Sequence, residues 1–211
     1  LASGRRFCNE GLGYHDYVRA MLEAVPPERE MASWLVCDHR FLRRYGLGIV
    51  RPAPVPIGSW LRSGYLKQGR TLAALARSCG IHERGLEDTV QQFNSLAAQG
   101  KDPQFGRGTT AYMRLQGDPD QRPNPCLAPI DHAPFYAVKV VPGSFGTFAG
   151  LRTDGQARVL DGKGLPIVGL YAAGTDMASV MGGHYPAGGI NLGPALTFGF
   201  IAARHAAGSN T

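Results

Sequence analysis

"MGGHYPAGGINLGPALTFGFIAARHAAG", residues 181–208, joins two unlike halves. Gly182, Gly183, Gly188 and Gly189 surround one tyrosine, Tyr185. After them an apolar run from about Leu192 to His205 reads as a buried helix. The first N–H groups of a helix have no partner inside it, and its dipole is positive at that end. Gly188, Gly189 and Gly193 put no side chain in the way of close approach, and Pro194 suits a first helical turn. Such an end fits a flat electron-rich ring or an oxyanion. Ordinary packing of a glycine-rich loop would account for the same residues.

Just upstream, "GLYAAG" (169–174) reads as a small-residue buried strand running into a loop. Ala172, Ala173 and Gly174 again permit close approach, while Thr175 and Asp176 could bond a polyol. "GTFAGLRTDGQARVLDGKGLPIV" (146–168) predicts short strands joined by turns at Asp154-Gly155 and Asp161-Gly162. Before this region "FYAVKVV" (135–141) alternates like a strand. Residues 101–134 hold six prolines and read as a long loop wrapping a site.

Earlier still come two helices. "TLAALARSCG" has Thr71 as N-cap, Leu72, Leu75 and Ala76 inward, and Gly80 past its end. "HERGLEDTVQQFNSLAAQG" carries Leu86, Val90, Phe93 and Ala97 on one stripe, closed by Gly100, so the pair should pack as a hairpin. "ASWLVCD" (32–38) reads as a buried strand before an arginine-rich turn or helix. Pro52, Pro54 and Pro56 keep residues 51–60 out of regular structure. Composition shifts near residue 147, from Arg- and Pro-rich to Gly- and Ala-rich, which places a domain boundary between 146 and 147.

A hydrophobic share of 44% against 18% charged residues supports a real core and excludes a disordered chain. The net charge of +6 is scattered; Arg5-Arg6 and Arg40 with Arg43-Arg44 are too short to argue for nucleic acid. Cys8, Cys37, Cys79 and Cys126 fit no zinc spacing, which predicts reduced thiols in a cytoplasmic protein and no metal. There is no 18-residue apolar run to span a membrane. The chain starts at Leu1 in what reads as mid-domain sequence, which predicts a fragment.

"GLYAAG" followed by "GGHYPAGGINLGPALTFGFIAARHAAG" closely resembles the C-terminal flavin-binding segment of the 3-ketosteroid dehydrogenases, members of the fumarate reductase/succinate dehydrogenase flavoprotein superfamily. "GRRFCNEGLGYHDYV", "TLAALARSCGI", "TVQQFNSLAAQGKDPQFGRG" and "HAPFYAVKVVPGSFGTFAG" extend the resemblance in family order. It implies an α+β, partial two-domain flavoprotein. Residues 1–146 would be most of a substrate-binding or cap domain, and residues 147–211 the C-terminal segment of a Rossmann-like FAD domain. The glycine fingerprint for the FAD pyrophosphate is absent here, which supports the fragment reading and makes the N-terminal half of the same protein an expected partner.

The resemblance also implies roles. Tyr185 and the amide of Gly189 match the pair that holds the substrate carbonyl, and Tyr14 matches the general base, with Tyr17 one helical turn away as its competitor. Gly174, Thr175, Asp176, Gly188, Ile190, Asn191, Leu192, Gly193, Pro194 and Ala195 would hold FAD. His184 reads as loop structure. Where fumarate reductases have "HTMGG", this chain has "GTFAG" (146–150), and their arginine falls on Pro186. A dicarboxylate needs fixed cations, so fumarate and succinate are disfavoured. The expected reaction is α,β-dehydrogenation of a small apolar, steroid-like ketone with hydride transfer to flavin. A reductase for another small carbonyl or acid, and a non-catalytic binding module lacking the flavin half, are the alternatives.

Overall fold

A computed structural model describes residues 1–208; residues 209–211, the tail of the expected C-terminal segment, lie outside the described residues. The chain divides into two compact units, Leu1–Pro142 and Gly143–Thr211. The division falls between Pro142 and Gly143 rather than between 146 and 147.

In the first unit, α1 (Tyr14–Ala24) precedes β1 (Ser33–Cys37), α2 (His39–Tyr45), α3 (Gly58–Arg62), β2 (Leu66–Gly69), α4 (Leu72–Cys79), α5 (Glu83–Ala97), α6 (Ala111–Gln116) and β3 (Phe135–Val140). The three strands form an antiparallel sheet in the order β1-β3-β2, with Leu35 opposite Val138 and Leu66 opposite Val138 on the other side. Alternation along the strands feeds both faces of this sheet. Cys37, Leu66, Tyr136 and Val138 pack with Leu42 of α2 and Val50. Trp34 and Val36 point instead to Ala76, Ile81, Leu86 and Val90, on or next to the α4–α5 hairpin.

The helix ends follow their capping residues. Thr71 accepts from the Ala74 amide at 3.1 Å, and Gly80 leaves α4 in the left-handed region. Leu75, Ala76, Leu86, Val90 and Ala97 are buried as their spacing requires, while Leu72 and Phe93 are half-buried. Asp38 caps α2 through the Phe41 amide at 2.8 Å, and its other oxygen accepts from the Asp131 and His132 amides. One carboxylate thus clasps the start of α2 to the approach to β3.

Two loop expectations need correction. Residues 51–60 are not wholly irregular, because α3 begins at Gly58, just beyond the three prolines. The 101–134 segment contains α6, whose cap Thr110 accepts from Met113. The rest is pinned by side chains: Asn124 donates to Gly100 and Gly108 carbonyls, and Asn94 exchanges two bonds with Ile130.

The second unit holds β4 (Arg158–Leu160), β5 (Pro166–Tyr171), a 3-10 turn (Gly174–Asp176) and α7 (Leu192–Ala206). The strands form an antiparallel pair. Asp154 and Asp161 nucleate the turns around it, each accepting two backbone amides on one side-chain oxygen. The core is small: Val159, Ala172 and Met177, with Phe198 of α7 against them. Here the expected burial fails. β5 is exposed over most of its length, with Val168 at 99%, and α7 buries no residue fully. A two-stranded pair and one helix provide no second layer to cover either apolar face.

Candidate functional site

The second unit brings three separate stretches of chain together. The Leu151 amide donates to the Asp176 carbonyl at 2.8 Å, Ala178 returns a bond to Leu151 at 2.9 Å, and Ser179 bonds Phe148 at 2.9 Å. Gly150 makes this possible: a Cβ there would lie 2.7 Å from the Asp176 carbonyl oxygen. Thus "GTFAG" is zipped alongside the segment that follows "GLYAAG". Their junction forms an open cleft of about 510 Å³, whose walls include Gly150, Tyr171, Ala173, Thr175 and Asp176.

Gly174 has φ +64°, and an added Cβ would touch Ala195 Cβ at 3.4 Å. The 3-10 turn and the first turn of α7 are therefore neighbours, which unites Gly174–Asp176 with Leu192–Ala195. Ile190 is buried beneath this end, whereas Gly188, Gly189, Asn191, Leu192 and Gly193 are exposed and Pro194 and Ala195 half-buried. Gly189 has φ +94° and its carbonyl accepts the Gly193 amide at 2.7 Å. A Cβ added at Gly188, Gly189 or Gly193 would meet nothing within 4 Å. Asn191 makes no side-chain cap bond, so the first amides of α7 have no side-chain cap.

Tyr185 is half-buried, its ring edge-on to Phe148 with centroids 6.4 Å apart. His184 lies exposed in a turn closed by its amide on Met181. Neither Tyr185 nor Gly189 lines the open cleft.

Tyr14 belongs to the first unit. It is the first residue of α1 and is 50% exposed. The turn before it is rigid. Asn9 accepts from Gly11 and donates to the Phe105 carbonyl, and Arg6 forks onto Glu10 and Asp102 with four bonds of 2.7–2.8 Å. Burial pushes the Asp102 carboxyl up, but bonds from Arg6 and the Arg107 amide outweigh it and hold the group below the usual carboxylate range. Tyr17 is a poor competitor as a base. Burial raises its phenol pKa, and its hydroxyl is engaged with Ser33 Oγ at 2.9 Å. That partner lies on β1 and no local pattern announces it.

Two features have no signal in any single motif, and the thiols follow the expectation. Tyr171 and His205 meet at 2.8 Å. Asp38, Asp131 and His132 place potential ligand atoms within 4.8 Å of one another, yet the Asp38 oxygens already accept three backbone amides, so the group reads as a clasp. The four thiols are free, and burial drives Cys8 to about 11 and Cys37 to about 12, which keeps them protonated and unreactive. No helix among the described residues is long and apolar enough to cross a membrane.

The chain is 43% identical over 204 residues to the 4-oxocyclohex-2-ene-1-carboxylate 5-dehydrogenase of Sinomonas cyclohexanicum, covering 97% of this chain and 35% of that protein. It is 43% identical over 210 residues to the 3-oxosteroid 1-dehydrogenase of Mycobacterium tuberculosis, covering 97% and 37%. The crystal structure of 3-ketosteroid delta1-dehydrogenase from Sterolibacterium denitrificans in complex with 1,4-androstadiene-3,17-dione matches with a TM-score of 0.92 at 42% identity, over 99% of this chain and 38% of that one. The chain thus spans little more than a third of the length of these relatives, and the resemblance read from its motifs holds along nearly its whole length. Residues 1–192 match the family model described as FAD binding domain, and the chain belongs to that family.

Proposed function

We propose that this chain is the C-terminal portion of an FAD-dependent dehydrogenase acting on the α,β carbons of a cyclic ketone, with a 3-oxosteroid as the leading substrate. In this reading the first unit is most of a substrate-binding cap. The second is the end of a Rossmann-like FAD domain whose remainder covers the apolar faces of β5 and α7. The observation that carries the proposal is the bare, uncapped start of α7. Its positive dipole end, with three glycines opening the approach and Gly174 drawn against Ala195, fits the edge of a flat, electron-rich ring. Gly174–Asp176 and Gly188–Ala195 would hold that ring and its polyol tail. Bound there, FAD supplies the hydride acceptor.

The chain's own residues supply positioning and proton control. The Tyr185 hydroxyl and the Gly189 amide donate to the substrate carbonyl and stabilise the charge that develops on it. Tyr14, exposed at the start of α1, takes the proton from the carbon α to the carbonyl. Only its phenolate can take that proton, and a free phenol, with a pKa of about 10, is mostly protonated near neutral pH; Tyr17 is the poorer candidate because its own proton is held more tightly. The small side chains about Gly174 let the ring approach, and "GTFAG" with Pro186 offers no fixed cation to a dicarboxylate.

Fumarate reductases are more distant relatives than the ketone dehydrogenases, which supports the ketone over the acid. A non-catalytic binding module gains no support from the family match. The 4-oxocyclohexene carboxylate named for one relative keeps a second ketone in view, sharing the carbonyl donors and adding a carboxylate that needs a cation.

The test is Tyr185→Phe in the FAD-loaded protein. Loss of one donor at a developing oxyanion lowers turnover of a 3-oxosteroid by about 10²–10³, with melting temperature unchanged. Near wild-type turnover would return Tyr185 to a packing role against Phe148. Gly189→Val forces a β-branched residue into φ +94° and should abolish turnover.

A further inference from the structure

The function proposed above makes no use of the contact that ties the far end of α7 to β5. The Tyr171 hydroxyl and His205 Nδ1 are 2.8 Å apart, with ring centroids 5.7 Å apart and tilted by 58°. Both residues are half-buried. Tyr171 ends β5, and Gly174 follows three residues later. His205 sits in the last turn of α7.

The helix lacks a deep anchor, since none of its residues is fully buried. Three contacts with the rest of the second unit are spread along its length. Ala195 meets Gly174 near its start, Phe198 meets the Val159–Ala172–Met177 cluster, and His205 meets Tyr171 near its end. At 100° per residue, positions 195, 198 and 205 fall within one face of the helix. Their partners come largely from one short run, Tyr171–Gly174. That run therefore sets the direction of the helix as well as its position. Phe198 alone would act as a pivot. Leu192 lies about 9 Å from it along the axis, so a tilt of about 10° moves the first turn by about 1.5 Å. Such a displacement is enough to break a hydrogen bond of ordinary length.

We propose that Tyr171 and His205 are positioning residues: their hydrogen bond fixes the tilt of α7 and so aims its first turn at the flavin ring. The inference rests on the flavin reading given above. Either protonation state of His205 serves, because a neutral Nδ1 accepts from the phenol and a protonated one donates to it. The positive end of the helix dipole favours negative charge on the ring, so a helix tilted away makes bound flavin harder to reduce.

The experiment uses the FAD-loaded full-length protein and reads FAD affinity and flavin reduction potential. Tyr171→Phe and His205→Phe each keep a ring and remove the bond. Each should weaken FAD binding by about three- to tenfold, the range for one lost hydrogen bond, and lower the potential. The double variant should be no worse than either single one. His205→Asn keeps a polar atom near the Nδ1 position and should stay close to wild type. FAD-loaded variants with wild-type affinity and potential overturn the positioning role, as do effects that add in the double variant or a failure of His205→Asn to rescue. A full-length wild-type protein, N-terminal half included, that takes up no FAD overturns the flavin reading and this inference with it.

Discussion

The two units use apolar residues in opposite ways. The first covers both faces of its three-stranded sheet and takes Met21, Leu42, Leu66 and Leu75 almost completely out of water. The second has a strand pair and one helix, and leaves Val168, Leu192, Leu196 and Phe200 mostly exposed. A two-stranded pair is marginal by itself in water, and an exposed apolar face of this kind marks a surface awaiting a partner. Hydrophobic sequence therefore reports burial only where the fold supplies a second layer. The first unit is built around a closed core, and the second leaves apolar faces uncovered.

That contrast can be broken in several ways. The largest effect is expected from dividing the chain: residues 1–142 alone should unfold cooperatively in urea, and residues 143–211 alone should not. A sigmoidal transition for the second piece would overturn the contrast. Next, Leu42→Ala should cost about 2–5 kcal/mol, whereas Val168→Ala should stay within about 0.5 kcal/mol, both from urea midpoints of the whole chain. A large loss for Val168→Ala would mean that β5 has a cover. Asp102 sharpens the comparison through pH. Its folded pKa is depressed, so its contribution is present above its unfolded pKa of about 4 and is lost as pH falls through the lower folded value. Asp102→Asn should flatten this acid limb in the melting temperature of the first unit. A modest loss is expected for Thr71→Ala, which should cost about 1 kcal/mol by removing the cap of α4.

What could be read in advance follows the range of the interactions concerned. The α4–α5 hairpin was legible because its information is local: Thr71, Gly80 and a stripe of apolar residues. The approach of Gly174 to the start of α7 was not legible, because small residues at both places mark room for a ring without saying that the two stretches meet. Exposure of β5 and α7 was not legible, because an apolar strand looks the same whether or not a layer covers it. β2 went unseen because four residues, two of them polar side chains, carry too little alternation. The Tyr17–Ser33 and Tyr171–His205 pairs were hidden for another reason: each joins residues that only the tertiary fold makes adjacent.

The strand order β1-β3-β2 has a consequence in time. The central strand is the last to be made. Roughly a hundred residues separate the end of β1 at Cys37 from the start of β3 at Phe135. At about 5–20 residues per second on the ribosome, β1 waits on the order of 5–20 s for its partner. Throughout that interval Trp34, Leu35 and Val36 sit on an unpaired edge, open to any other strand that arrives first. For this protein the hazardous moment is therefore during synthesis, and a chaperone that shields residues 33–37 until β3 emerges should raise the folded yield more than any stabilisation of the finished sheet.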